Sequence, residues 1–219
     1  LDGLVRDGLD DVYQKKAMGF FADATAKQYD ISRQQQDEFS IRSYELASEH
    51  TKNGAFKNEI IGVSIPQKKG DPILLTEDEE YKNVIFDKIP ALKPAFTQDG
   101  TVTAASSSKI SDGATALVLM SKEKAEALGM KPIAKILSFA DAQQEPEWFT
   151  TAPTKAAPIA AKRAGLSLNE IDLFEVNEAF AVVTLAFDKV LEVPLEKTNV
   201  MGGAVAIGHP LGTSGARIV

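Results

Sequence analysis

Five of the nineteen residues from Asn199 to Arg217 are glycine, and with His209 and Pro210 they constrain this chain more than any other segment. The run reads Asn-Val-Met-Gly-Gly-Ala-Val-Ala-Ile-Gly-His-Pro-Leu-Gly-Thr-Ser-Gly-Ala-Arg. Glycine adds no apolar surface and loses the most backbone freedom on folding, so core packing does not drive such a stretch. Its use is close approach: backbone can come near a ligand, and the proline beside His209 helps to fix one imidazole in place. Taken alone, the run fits an irregular loop with a structural histidine at least as well.

The rest of the chain divides in two. Over 1–110 it is helical, charged and irregular. Met18, Phe21, Ala22 and Tyr29 share one helical face, with the Thr25 hydroxyl interrupting the stripe. Ser32 and Gln35 have capping-box spacing and open a second helix that runs to Asn53–Gly54. Ile61, Val63 and Ile65 alternate as a short strand, and 67–99 is polar and proline-dotted, a loop pattern.

After Gly100 the pattern changes. The apolar run Ala116–Met120 predicts a buried strand, and Ser121 caps a following helix. Ile133–Phe139 predicts a strand, Thr154–Ala164 a helix stopped by Gly165, and Ser167 with Glu170 a second capping box. Leu173–Val176 predicts a strand and Glu178–Leu191 an apolar helix. Strands alternating with helices indicate an α/β layered core.

Composition excludes several classes of function. A net charge of −7 gives no basic face for nonspecific nucleic-acid binding. A local basic patch for a small anion stays compatible with it. With no cysteine there is neither a disulfide framework nor a thiolate zinc site. No stretch approaches the roughly 18 apolar residues of a membrane helix. The 219 residues lack a starting Met and stop at Ile218–Val219 where a helix begins, so the expectation is a piece of a longer polypeptide.

Three segments can carry chemistry. Asn177-Glu178-Ala179-Phe180 stands where a predicted strand hands over to a helix, the carboxyl end at which α/β sheets form ligand sites. Asn177 reads there as a hydrogen-bond donor to a ligand or as a helix N-cap. His209 can take a proton at neutral pH or donate one to a developing oxyanion. The small-residue run Gly100–Ser108 exposes backbone amides and carbonyls, suiting it to line a narrow channel. His50, at the polar end of a helix, reads as a solvated side chain.

Gly-Thr-Val-Thr-Ala-Ala at 100–105 with its trailing serines and Asp112-Gly113-Ala114, then Asn177-Glu178-Ala179-Phe180, then the glycine-rich run, together resemble the thiolase family. The resemblance extends from about Asp7 to the last residue. Within the family the chain is most similar to acetoacetyl-CoA thiolases, on Thr-Val-Thr-Ala-Ala, Glu77-Asp78-Glu79-Glu80-Tyr81 and Phe139-Ala140-Asp141-Ala142. Ser106–Ser108 and Leu92-Lys93-Pro94-Ala95-Phe96 also resemble the broader-chain 3-ketoacyl-CoA thiolases.

The resemblance implies an α/β fold: a partial, layered α/β/α/β/α core with an irregular, mainly helical loop domain. It divides the chain into a coenzyme A-binding loop region at 1–110, the end of the N-terminal core half at 111–130 and the start of the C-terminal half at 131–219. It implies Claisen condensation and thiolysis between coenzyme A thioesters, acetyl-CoA and acetoacetyl-CoA, through cysteines outside these residues. The alternatives are a broader-chain thiolase and a non-catalytic acyl-CoA or lipid carrier. His209 matches the histidine that activates the nucleophile, and Asn177 the residue holding the oxyanion-hole water. Met18 and Ser108 match pantetheine contacts. Asn83, Val84, Ile85 and Lys88 fall where the nucleotide end binds. Tyr44, Ala104, Ala105, Ser107 and Val205 match the potassium ligands of one subgroup, with Ser107 where alanine is usual. No covalent cofactor, no nucleic acid and no membrane partner are implied. The expected assembly is a homodimer or homotetramer, and the expected location is intracellular, the mitochondrial matrix ahead of the cytosol.

Overall fold

Thr25, the residue that breaks the apolar stripe of the first helix, is fully buried in the computed structural model, which describes residues 2–219. Its hydroxyl lies 2.9 Å from the Phe21 carbonyl and 2.6 Å from Thr150 Oγ1, so the polar group enters the core already paired. The helix, α1 (Met18–Gln28), packs that face against α5 (Ala181–Leu191). Ala22, Ala26, Val102, Val182, Ala186 and Phe187 form the centre of this cluster. Seven residues of α5 are buried, and a helix apolar on nearly every side is a core helix.

The second helix, α2 (Arg33–Lys52), begins at the expected capping box. The Gln35 N–H donates to Ser32 Oγ at 3.1 Å, and the Ser32 N–H donates to Gln35 Oε1 at 2.8 Å. Such a cap stabilises a helix by about 1 kcal/mol. From α2, Tyr44 and Ala47 reach a smaller cluster with Tyr81 and Val205–Ile207. The last three belong to α6 (Ala204–Ile207), a single turn inside the glycine-rich run. A further short helix, α7 (Ser214–Arg217), follows His209.

Two more helices form where the caps place them. Ser121 Oγ accepts the Lys124 N–H at the start of α3 (Lys122–Ala127). Pro153 opens α4 (Pro153–Arg163), and Gly165 ends it at φ +76°, a left-handed position that glycine takes without strain. The Ser167–Glu170 box caps a short 3-10 turn.

The strands differ from expectation. Val63–Ile65 (β1) pairs antiparallel with Ile73–Leu75 (β2), Val63 opposite Leu75, so part of the segment read as loop is the second strand of an exposed hairpin. Residues 116–120 and 133–139 are neither paired nor buried: Val118 is 83% exposed and Phe139 77%. A strand exists through its ladder bonds, and no neighbouring segment among the described residues supplies them. Near Leu173–Val176 a single parallel bridge, Phe174 to Thr198, stands in for the expected strand. Helix α5 starts at Ala181 rather than at Glu178, because Phe180 is extended and paired with Ser107.

Candidate active site

Backbone pairing between two distant motifs builds the site. Ser108 N–H donates to the Ala179 carbonyl at 3.0 Å, and Ala181 N–H donates to that of Ser106 at 2.8 Å. The small-residue run therefore lies along the turn that leads into α5. Just upstream, the Asn199 side chain imitates a neighbouring strand. Its Oδ1 accepts the Val176 N–H at 2.7 Å and its Nδ2 donates to the Val176 carbonyl at 2.8 Å. Asn199 holds φ +47°, a left-handed conformation that asparagine tolerates better than most residues.

Asn177 follows this clamp and does not cap α5, whose N-cap is Phe180. Its amide nitrogen lies 3.3 Å from His209 Nε2. On the far side of the ring, His209 Nδ1 lies 2.6 Å from Ser214 Oγ, and that hydroxyl donates to the Pro210 carbonyl at 3.3 Å. The network assigns one tautomer: Nδ1 carries the proton and donates to Ser214, leaving the Nε2 lone pair beside Asn177. Burial lowers the pKa of His209 below its ordinary 6.5, so the neutral imidazole prevails at pH 7. A neutral ring with an unprotonated Nε2 can accept a proton, and once protonated it can give it back.

The backbone of His209 is fixed as well. Its N–H donates to the Lys109 carbonyl at 2.9 Å. Gly208 precedes it at φ +89°, where a Cβ would overlap the Ser111 hydroxyl, so a glycine is required for the ring to arrive here. The Ser111 hydroxyl is buried with no partner among the described residues.

Glu178 is fully buried. Its carboxylate accepts from Ser43 Oγ at 2.7 Å, Asn199 Nδ2 at 2.9 Å and the Val205 N–H at 3.0 Å. Burial pushes its pKa up, and the bonds from Asn199, Ser43 and Val205, with the charge of Arg42, oppose that rise. A Cβ at Gly203 would overlap this carboxyl group, so the glycine-rich run passes directly against it.

The other expected contacts are distributed unevenly. Met18 opens α1 and packs on the core cluster that includes α5, and Ser108 lies beside Ala179, two residues after Asn177. Val84 packs on the Tyr44–Val205 cluster. Asn83 bonds to Glu80, and Ile85, just before the 3-10 turn Phe86–Ala91, and Lys88 within it are exposed. No hydrogen bond among the described residues joins 83–88 to Asn177, Ser108 or His209. A cleft of 520 Å³ lined by Phe20, Asp23, Lys27, Thr97 and Thr101 contains none of these residues.

Two of the expected potassium ligands have a partner from this chain. The Lys109 ammonium donates to the Ala104 carbonyl at 2.7 Å and to that of Ser107 at 3.3 Å, and it stands 5.8 Å from the centre of the Tyr44 ring. Two of the expected carbonyl ligands are thus already bonded to a positive charge. A potassium ion on the same oxygens would lie about 4 Å from the ammonium, where like charges repel by about 4 kcal/mol at an effective dielectric of 20. In the set Tyr44, Ala104, Ala105, Ser107 and Val205 a potassium ion would therefore compete with the Lys109 ammonium.

Three contributors escaped the sequence reading: Lys109, Ser214 and Asn199. Glu178 is legible in the sequence only as part of a motif. A charged residue inside an otherwise apolar helix start was the available signal for it, since an unpaired carboxylate is not buried there.

Comparison with known proteins gives a consistent result. The family model described as "Thiolase, N-terminal domain" matches residues 1–123, and "Thiolase, C-terminal domain" matches 130–219. The chain is 54% identical over its full length to a probable acetyl-CoA acetyltransferase of Dictyostelium discoideum, of which it covers 53%. It is 48% identical to an acetyl-CoA acetyltransferase of Schizosaccharomyces pombe, of which it covers 56%. Among solved structures, a thiolase of Ascaris suum in complex with coenzyme A matches all of this chain at 45% identity and TM-score 0.91, and 56% of that chain is covered. An acetyl-CoA acetyltransferase of Bacillus anthracis matches 98% of it at 38% identity and TM-score 0.94, with 54% of that chain covered. The chain spans about half the length of the curated relatives it matches.

Proposed function

The chain belongs to the thiolase family, and from that premise we propose that the whole protein is an acetyl-CoA C-acetyltransferase that makes or cleaves acetoacetyl-CoA. The α/β fold is that of the two solved relatives. The substrate is a coenzyme A thioester, and the nucleophile is a cysteine supplied from outside these 219 residues.

In the forward direction a cysteine thiol attacks the carbonyl of one acetyl-CoA. Its proton passes to His209 Nε2, a sulfur–carbon bond forms, and the coenzyme A thiolate leaves with that proton. A second acetyl-CoA gives an α proton to a second cysteine, also supplied from outside these residues, its enolate carbon attacks the acyl-enzyme carbonyl, and the first cysteine leaves as a thiolate that takes up that proton. Thiolysis reverses these steps. The enolate oxygen is the charge to be stabilised, and the Asn177 amide, a donor beside His209 Nε2, lines the place for it. Preorganised donors of this kind contribute about 3–4 kcal/mol each in other enzymes. Ser108 and Met18 would border the pantetheine arm, and residues 83–88 the nucleotide.

The observation that carries the reading is the Asn177–His209 pair, with its neutral ring and unprotonated Nε2. A carrier that only binds acyl-CoA has no use for a positioned base beside an amide donor. The reading also makes the enzyme a homodimer or homotetramer, which light scattering on the full-length protein tests. The activity is tested by the rate of acetoacetyl-CoA loss with free coenzyme A, compared with a medium-chain 3-ketoacyl-CoA. Preference for the medium chain replaces acetoacetyl-CoA specificity with the broader thiolase reading; turnover of neither removes the enzyme.

A further inference from the structure

Lys109 touches both halves of the site. Its side chain folds back on the turn that precedes it, bonding the carbonyls of Ala104 and Ser107, while its own carbonyl holds the His209 N–H. Between these two anchors sits Ser108, tied through its N–H to Ala179 in the turn after Asn177.

Converging carbonyl oxygens repel one another, and a turn that gathers them needs a positive charge at its focus. The ammonium provides it. The face of Tyr44, 5.8 Å away and buried, offers further electrostatic support. We propose that Lys109 is a built-in cation: its tethered ammonium holds the Ala104–Ser108 turn in the shape that places Ser108 and His209, so the protein works without a bound monovalent metal ion. This inference rests on the thiolase reading for its catalytic consequence. Its structural content stands on the contacts alone.

The physical advantage of a tethered charge is constant occupancy. A free ion leaves its carbonyls at low concentration, whereas an ammonium on the same backbone is always within reach. Lys109 touches no reacting atom in this arrangement. It is a positioning residue, and its removal should affect coenzyme binding first.

The full-length protein is compared with Lys109→Ala and Lys109→Met in potassium chloride and lithium chloride at equal ionic strength, reading Tm, KM and kcat. The wild type should give the same Tm and KM in both salts. Lys109→Ala opens the ammonium's place. In lithium its KM should rise about tenfold and its Tm should fall, and potassium should restore most of both losses. Lys109→Met fills the same space without charge, so it should show the raised KM in both salts. A wild type whose Tm or KM depends on potassium overturns the proposal. So does a Lys109→Ala protein that matches wild type in lithium, or that stays impaired in potassium while folded. Should Lys109→Ala fail to fold, an unchanged KM in Lys109→Met overturns it equally. A wild type inactive on every 3-ketoacyl-CoA defeats the thiolase reading instead, and the Tm comparison still decides the role of Lys109.

Discussion

The buried carboxylate of Glu178 accepts the Val205 N–H at 3.0 Å while its neighbour Asn177 turns the other way, its amide 3.3 Å from His209. Two consecutive residues therefore hold two points of the glycine-rich run, one from inside the core and one from the site. The two residues enter a turn in which the Ala179 N–H donates to the Asn177 carbonyl at 2.9 Å before α5 begins at Ala181, and their side chains leave it toward different partners. The geometry of the Asn177–His209 pair depends in this way on a fully buried carboxylate.

Glu178→Gln measures that dependence. One oxygen of Glu178 accepts from both Ser43 and Val205, and the other accepts from Asn199. A glutamine amide keeps one acceptor and turns a donor toward one of these donors. A buried unsatisfied or clashing polar group costs about 1–3 kcal/mol. We expect the full-length protein to lose about 2 kcal/mol in denaturant unfolding, by the same rule, and to turn over more slowly with KM little changed. An unchanged unfolding midpoint would show that the carboxylate is not the clasp.

His209→Ala should lower kcat by about 10²–10⁴-fold, the range of a lost general base, with coenzyme A binding kept within a few-fold. Near-normal turnover removes the role given to His209. The pH profile is a separate check. Burial depresses the pKa of the ring, so the basic form survives below the ordinary 6.5. The acid limb of kcat/KM in the wild type should have its midpoint below that value.

Asn177→Asp is informative because it preserves shape and adds charge. A carboxylate beside Nε2 stabilises the imidazolium, so the acid limb should move to higher pH. It also replaces a donor with an acceptor at the developing oxyanion, and kcat should fall by about 10²–10³-fold. If the acid limb stays where it is in wild type, the two side chains are not coupled as the 3.3 Å contact implies.

Local chemistry made much of the fold legible beforehand. The Ser32–Gln35 box, the Ser121 cap and the Gly165 stop are rules of a few residues, and each appears where its residues stand. The apolar runs at 116–120 and 133–139 were legible only as demands for partners, because burial and pairing depend on which segments lie alongside. The Asn177–His209 contact spans 32 residues and was reached through motif resemblance, with no local signal for it. Lys109 was invisible for a different reason. A lysine in a small-residue run ordinarily reaches into water, and only the curl of the 104–108 turn brings carbonyls within range of its ammonium.

Asp188, on the inner side of α5, yields a prediction about pH. Its Oδ1 accepts from Thr198 Oγ1 at 2.8 Å, while its Oδ2 is buried without a partner among the described residues. Burial pushes its pKa up from 3.8 to about 6, against the opposing effects of Thr198 and Arg42. Between those two values the unfolded chain has released the proton and the folded chain retains it. The folded state then binds more protons, so its stability falls as pH rises through the window and levels off above about 6. The loss is on the order of 2–3 kcal/mol at its ceiling. Asp188→Asn keeps the acceptor for Thr198 and carries no charge. It should flatten this part of the slope and leave the variant at least as stable as wild type at pH 7. The measurement is the difference in unfolding free energy between the two proteins at pH 4.5, 5.5 and 7. A difference that does not change with pH would mean that Asp188 is ionised in the folded state throughout.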